Sequence, residues 1–167
     1  MKFFSLLILI AALGTSVPCN AQSAERPGPT LEIFAGHAGF LDDSVIPHAV
    51  FGGAGRFYLT PRLGVGPEFV YMRGPFSDRD SVLTGNVTWD LLSVRRDSPR
   101  LVSPFLVGGY GMLRHRSWFS RVANQSATLG GGTRVRFTDR VYSFVDFRVG
   151  WEPHYRITGG IGVRLPR

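Results

Sequence analysis

Apolar residues occupy every second position along much of the chain, and the segment 130–151 shows this pattern clearly. One row of the segment is almost entirely apolar and contains Val145 and Phe147. The other row carries charges of both signs, among them Arg134 and Asp146. A period of two is typical of β-strands, because successive side chains point to opposite faces of a sheet. The segment therefore predicts two strands with one apolar and one polar face.

The same alternation recurs in eight segments along the chain, and turn-forming residues separate them. The predicted strands cover residues 31–40, 49–60, 63–73, 81–92, 101–114, 125–138, 141–152 and 155–165. Nothing between them has the period of a helix. Tight connections at 60–62 and 138–140 alternate with looser ones at 41–48, 74–80 and 115–124. Alternate connections of an up-and-down barrel lie at opposite ends, so we expect the looser loops to share one rim.

Two prolines fall inside predicted strands. Pro67 belongs to the third strand and Pro104 to the fifth. Proline has no backbone N–H to donate to a sheet, and a closed barrel has no free edge where this loss is harmless. We therefore expect a β-bulge at each proline, close to the end of the barrel with the tight turns.

Two architectures have one apolar and one polar face: a soluble barrel with an apolar core, and a membrane barrel with an apolar outside. The polar rows contain many glycines: Gly52, Gly64, Gly66, Gly130, Gly132, Gly160 and Gly162. Glycine leaves the space that a narrow lumen requires. The apolar rows end in large aromatic residues, as at a headgroup boundary: Tyr71, Trp89, Phe137 and Trp151. Both features favour an eight-stranded antiparallel up-and-down transmembrane β-barrel, and a soluble secreted ligand-binding barrel remains the alternative.

The polar rows carry nearly balanced charges. Their acidic members are Glu32, Glu68, Asp90, Asp146 and Glu152, and their basic members are Arg56, Arg134, Arg136, Arg148 and Arg164. Charges inside a narrow barrel need partners, because an unpaired buried charge costs several kcal/mol. We therefore predict a lumen charge network in which Asp146 or Glu152 pairs with arginines of neighbouring strands. A side-chain-filled lumen of this kind excludes a wide pore.

The first residues resemble a secretory signal peptide. Lys2 is followed by an apolar run from Phe3 to Leu13, which is too short to cross a membrane as a helix, and the expected cleavage follows Ala21. The predicted organisation is a signal peptide at 1–21, a flexible lead-in at 22–30 and a barrel domain at 31–167. Cys19 is the only cysteine and lies in the signal peptide, so no disulfide is expected in the exported protein.

The formal net charge of +7 favours anionic partners. An exported protein seldom meets nucleic acid, so lipid headgroups or lipopolysaccharide phosphates are the expected anions. Arginines are frequent near the predicted longer loops: Arg73, Arg79, Arg114, Arg116 and Arg121. Together with Trp118 they form a candidate contact with an anionic surface, and the alternative is a solvated rim.

The whole pattern resembles the small bacterial outer-membrane β-barrels, the OmpA/OmpX-like eight-stranded family. The resemblance rests on the signal peptide, the alternating strands, Thr-Pro-Arg-Leu-Gly-Val-Gly at 60–66, Pro-Phe-Leu-Val-Gly-Gly-Tyr-Gly at 104–111 and the last strand. The last strand is similar to the family's C-terminal assembly signal, although it ends in Leu165-Pro166-Arg167 rather than an aromatic residue. The resemblance implies an outer-membrane location in a Gram-negative-type bacterium and contact with the barrel-assembly machinery. It also implies a monomer with a structural or surface-interaction role and no cofactor.

Some barrels of this class are lipid A deacylases, in which a His-x-Ser pair acts with an acid. Here His115 and Ser117 have that spacing, and Ser117 would be the nucleophile and His115 its base, but Glu152 lies elsewhere in the sequence. In the deacylases the pair lies among asparagines near the C-terminus, so we expect no catalysis. The other histidines are scattered without metal-ligand spacing: His37, His48 and His154. No metal site is therefore predicted.

Overall fold

The computed structural model describes residues 26–40, 46–75, 78–92, 101–116, 121–151 and 154–166. They form β1 Thr30–Phe40, β2 Ile46–Tyr58, β3 Leu63–Arg73, β4 Arg79–Asp90, β5 Val102–Arg116, β6 Arg121–Arg136, β7 Val141–Gly150 and β8 His154–Arg164. Consecutive strands pair antiparallel, and β1 also pairs with β8, which closes the barrel. The predicted fold class is thus confirmed. The described residues include no helix long and apolar enough to cross a membrane.

The predicted signal peptide lies outside the described residues. The end of the predicted lead-in belongs to the sheet. β1 begins at Thr30, and the backbone N–H of Leu165 donates to the carbonyl oxygen of Pro29 at 2.8 Å. The first and last described segments therefore meet at one end of the barrel.

The two ends of the barrel differ in their connections. The loop end carries residues 41–45, 74–78, 117–120 and 151–153, and the turn end carries 59–62, 91–101 and 137–140. The expected loop at 115–124 was wrong, because β5 and β6 continue to pair as far as Arg116↔Arg121. Only residues 117–120 remain as the connection, so this part of the loop end is built from strands.

The outside of the barrel is apolar. Along β7, for example, Val145, Phe147 and Val149 are 59%, 48% and 50% exposed, whereas the side chains between them are buried. The other strands continue this apolar band with residues such as Leu31, Ile33, Phe51, Phe69, Leu83, Leu106, Leu129, Ile157 and Ile161. A soluble barrel would bury these side chains, so their exposure fits a lipid environment.

The inward faces fill the lumen. β5 is apolar on both rows, and the structure resolves its orientation: Phe105, Val107 and Leu113 are buried, and Leu106 and Met112 are exposed. Five buried apolar side chains form a layer towards the loop end, here called the apolar floor: Val50, Val70, Met72, Val82 and Leu113. Glycines make room for inward aromatic rings, since a side chain at Gly162 would overlap with the ring of Tyr142.

The expected bulges at Pro67 and Pro104 were wrong. The β2–β3 ladder is interrupted beside Pro67, but Ala54↔Glu68 and Phe57↔Val65 keep one register on both sides of the gap. The carbonyl oxygen of Pro104 accepts a hydrogen bond from Leu91, which lies beyond the end of β4. The missing N–H of Pro104 therefore faces a position where β4 has already ended, so the ladder loses nothing there.

Candidate functional site

A buried charge network occupies the turn-end half of the lumen. Arg56 donates from Nη1 and Nη2 to the two carboxylate oxygens of Glu32 at 2.8 and 3.0 Å. Its Nε donates to the hydroxyl of Thr88 at 3.2 Å, and the hydroxyl of Tyr142 donates to Glu32 at 2.7 Å. All four residues are buried. The carboxylate and the guanidinium thus replace their lost hydration with several directed hydrogen bonds.

Arg134 extends this network across the lumen. Its Nη1 donates to a carboxylate oxygen of Asp90, and its Nε lies 3.7 Å from Oε1 of Glu32. The guanidinium also lies 4.0 Å from the ring centroid of Phe105, in a cation–π contact. Strands β1, β2, β4 and β6 are therefore connected through one set of charges.

A second network lies in the middle of the lumen. Arg148 donates to both carboxylate oxygens of Glu68 at 3.3 and 2.7 Å, and Arg156 donates to Glu68 at 2.7 Å. Arg148 also donates from Nε to Asp146 at 2.8 Å, and the hydroxyl of Thr158 donates to Asp146 at 2.9 Å. Glu68 of β3 thus reaches β7 and β8 across the lumen.

The structure brings together most residues of the predicted lumen network, but with different partners. Asp146 pairs with Arg148 of its own strand rather than with an arginine of a neighbouring strand, and Glu68 pairs across the lumen. Arg136 and Arg164 line the mouth of the lumen at the turn end. Glu152 lies outside the described residues. Sequence reasoning missed Arg156, although its place on the polar row of β8 was a sufficient signal.

Four exposed arginines lie side by side at the loop end. The sheet register places Arg73 opposite Arg79, Arg79 opposite Arg116 and Arg116 opposite Arg121. Arg114 projects from the same outward face of β5, opposite Ser81. We call these five residues the arginine row. All five lie in strands, so the predicted connections at 74–80 and 115–124 were wrong for Arg79, Arg116 and Arg121, and Trp118 lies outside the described residues.

The arginine row borders a cleft of about 470 Å³, which four of its members line together with Tyr71, Ser81 and His115. Like charges directly opposite one another in a sheet repel. An anion held in the cleft would remove this repulsion, and guanidinium groups are well suited to bind phosphate or sulfate through paired hydrogen bonds.

Two histidines and two aspartates form a compact group inside the loop end, here called the loop-end cluster. Nε2 of His48 lies 3.1 Å from Oδ2 of Asp78 and 3.4 Å from Oδ2 of Asp80. Nδ1 of His115 lies 2.7 Å from Oδ1 of Asp80 and 3.4 Å from Oδ1 of Asp78. Donor atoms of His48, Asp78 and Asp80 all lie within 4.8 Å of one another, as metal ligands do. The prediction from spacing found neither this cluster nor a role for His48.

Of the three residues considered for a deacylase, the structure describes only His115. His115 lies on the inward row of β5 and contacts Asp80, which is an arrangement that could orient a base. Ser117 and Glu152 lie outside the described residues. The lipid-facing row at this level consists of Arg114 and Arg116, so His115 faces the lumen rather than the lipid.

No protein-family model matches the chain, and no curated protein matches its sequence. Solved structures do match. Neisserial surface protein A has 12% identity and a TM-score of 0.70, and the match covers 83% of this chain and 97% of that one. The N-terminal β-barrel domain of Pseudomonas aeruginosa OprF has 12% identity, a TM-score of 0.66 and coverages of 84% and 98%.

Ail, the attachment invasion locus protein of Yersinia pestis, has 14% identity, a TM-score of 0.56 and coverages of 84% and 100%. A second structure of Ail, in complex with the heparin analogue sucrose octasulfate, has 13% identity, a TM-score of 0.51 and the same coverages. Identities this low establish a common fold rather than a common activity. Eight strands, antiparallel closure and these matches together give the chain the fold of the small eight-stranded outer-membrane β-barrels.

Proposed function

We propose that this chain is a non-enzymatic protein of a bacterial outer membrane, and that its arginine row binds anionic groups at the membrane surface. The proposal rests on the sheet register, which aligns four arginines of adjacent strands on the outward face: Arg73, Arg79, Arg116 and Arg121. The arginine row adjoins the apolar band, because the preceding outward side chains are Tyr71 on β3 and Met112 on β5. Lipopolysaccharide phosphates lie at such a boundary, so we infer that they are the ligand.

The filled lumen supports a structural or surface-interaction role rather than transport. Two charge networks and the apolar floor occupy the space inside the strands. In this proposal the leader 1–21 directs export, and the barrel-assembly machinery inserts the chain as a monomer. Binding of sucrose octasulfate by Ail supports the idea that a barrel of this fold can present a polyanion site on its surface.

The location is tested by fractionation. We expect the chain in the outer-membrane pellet, with a faster gel migration when the sample is not boiled, because a closed barrel stays compact in detergent. Recovery in the periplasmic supernatant would instead support the soluble ligand-binding barrel.

The binding site is tested with purified barrel and lipopolysaccharide. Replacing Arg79 and Arg116 with glutamine removes two charges, each worth about 1 kcal/mol near an anionic surface, so affinity should fall roughly thirtyfold. The matched control replaces Arg62 and Arg140, which are exposed at the turn end. Binding should weaken with salt in the wild type, and equal loss in both double variants would contradict the proposed site.

The alternative of a lipid A-modifying enzyme rests on the contact between His115 and Asp80. Lipid A from cells with and without the protein would differ in acyl chains if the chain were a deacylase. In that case Ser117→Ala would abolish the difference. We expect identical lipid A in both strains, and a difference that depends on Ser117 would overturn the non-enzymatic proposal.

A further inference from the structure

We propose that the loop-end cluster is a binding site for a divalent transition-metal cation of the Zn²⁺ type, with His48, Asp78 and Asp80 as ligands and His115 as the residue that contacts and orients Asp80. The site belongs to the inward rows of the barrel and the arginine row to the outward ones, and Asp80 and His115 of the site also line the cleft that the arginine row borders. It would add a metal-dependent element to the loop end, whatever the anionic ligand outside.

In the loop-end cluster, two ring nitrogens face four carboxylate oxygens. Each ring nitrogen faces two carboxylates, at 3.1 and 3.4 Å for His48 and at 2.7 and 3.4 Å for His115. A ring nitrogen carries at most one proton, so it can donate to only one of its two neighbours. Neither of these two ring nitrogens can therefore satisfy both of the carboxylate oxygens that it faces.

Two carboxylate oxygens of the cluster have no hydrogen-bond partner among the described residues. In the part of the chain that the structure describes, Oδ2 of Asp80 and Oδ1 of Asp78 are buried and accept none. Asp80 is only 1% exposed, and this oxygen is turned towards His48. An unsatisfied buried carboxylate oxygen is costly. A cation between the ligands would compensate both oxygens together.

The residues around the cluster hold its side chains in place. His48, Asp80 and His115 each lie two residues along their strands from Val50, Val82 and Leu113 of the apolar floor. The ring of Phe40 packs against the ring of His48 at 5.0 Å between centroids. Asp78 closes a short turn, because its carbonyl oxygen accepts from Gly74 and its N–H donates to Pro75, both at 3.0 Å.

The donor set selects among cations. One imidazole nitrogen and two carboxylate oxygens, with water in the fourth position, match the four-coordinate preference of Zn²⁺. Mg²⁺ prefers six oxygens in octahedral geometry, several of them from water, so it should compete poorly. Co²⁺ accepts the same ligands and reports their geometry through its visible absorption.

The test is titration of Zn²⁺ into the purified full-length barrel, prepared without a polyhistidine tag and freed of metal with a chelator. We expect saturable binding of one Zn²⁺ per chain and little competition from Mg²⁺. The variants His48→Gln and Asp80→Asn should bind at least about tenfold more weakly, because loss of a ligand costs no less than loss of its supporting contacts. The matched control His37→Gln lies on the outward row of β1 and should bind like the wild type.

Folding is checked in every variant by the gel shift between boiled and unboiled samples. If the two buried variants fail to fold, the more accessible variants Asp78→Asn and His115→Gln decide the question, and we expect weaker Zn²⁺ binding and a weaker Co²⁺ absorption in both. The proposal is overturned if the wild type shows no saturable binding, or if folded ligand variants bind Zn²⁺ as the wild type does. Loss of binding in His37→Gln would equally count against it.

Discussion

Glu32 and Arg56 face each other inside the barrel with two parallel hydrogen bonds of 2.8 and 3.0 Å. The pair joins the neighbouring strands β1 and β2. The hydroxyl of Tyr142 in β7 donates to the same carboxylate from the other side of β1. Fork-to-fork geometry of this kind is the strongest arrangement of arginine with a carboxylate. The pair is therefore well suited to test whether each lumen charge needs its partner for the stability of the barrel.

Removing only one partner of this pair should be strongly destabilising. Glu32→Leu leaves the buried guanidinium of Arg56 without its carboxylate, and we expect the free energy of unfolding to fall by about 3–5 kcal/mol. The double variant Glu32→Leu with Arg56→Met should lose less, because no isolated charge remains at that position. Urea unfolding in lipid vesicles measures both. A double variant that is less stable than the single one would contradict this dependence.

The ring of Tyr142 makes Gly162 intolerant of side chains. A Cβ at Gly162 would overlap with this ring, so Gly162→Leu should destabilise the barrel by about 1–3 kcal/mol. The matched control is Gly159→Leu on the same strand, where a Cβ faces outward and finds only ordinary contact at 3.7 Å. The same unfolding measurement compares the two variants. Equal effects would mean that the lumen is less tightly filled than the structure indicates.

A charge on the apolar band should be costly in proportion to its depth. Val145 lies in the middle of β7 and is 59% exposed, so Val145→Arg should cost about 2–4 kcal/mol in a bilayer. Ala123→Arg places the same side chain on the outward face at the level of the arginine row, where the cost should be about 1 kcal/mol or less. Unfolding in vesicles gives both values. A soluble barrel would show no such difference.

The lumen should not conduct ions. Glu68, Arg148 and Arg156 fill its middle, and the apolar floor lies towards the loop end. In planar bilayers we expect no channel steps from the wild type. Removing side chains from both layers, with Met72→Ala and Arg148→Ala together, should produce a leak. Stepwise channel currents from the wild type would contradict this expectation, because they would require an open path for ions through both layers.

The period of two predicted the fold because the strands mostly bury one row and expose the other, although residues 121–125 of β6 are exposed on both rows. A slip by a single residue would exchange the two rows. It located the charges of Glu68 and Arg148 on the inward face, but it could not predict that they meet. That contact joins β3 to β7 across the barrel, and it depends on barrel diameter and strand stagger rather than on alternation.

The loop end was predicted least well. Arg114, His115 and Arg116 are all polar, so alternation no longer marks the strand there, and the extension of β5 was interpreted as a loop. The loop-end cluster combines residues of β2, β4, β5 and one turn. Asp80 and His115 meet because the register places them opposite each other, whereas His48 of β2 reaches Asp80 of β4 past β3, which lies between their strands.

The location of the arginine row in strands has a consequence for the size of its ligand. Hydrogen-bonded strands lie about 4.8 Å apart, so the four paired arginines carry positive charge over roughly 14 Å of backbone at a nearly constant interval. A loop could close around one small ion, but this interval is set by the sheet. A single phosphate can engage only one or two of the guanidinium groups. Occupying the whole set requires several anionic groups over a comparable distance, as on a clustered lipid surface or a sulfated polymer.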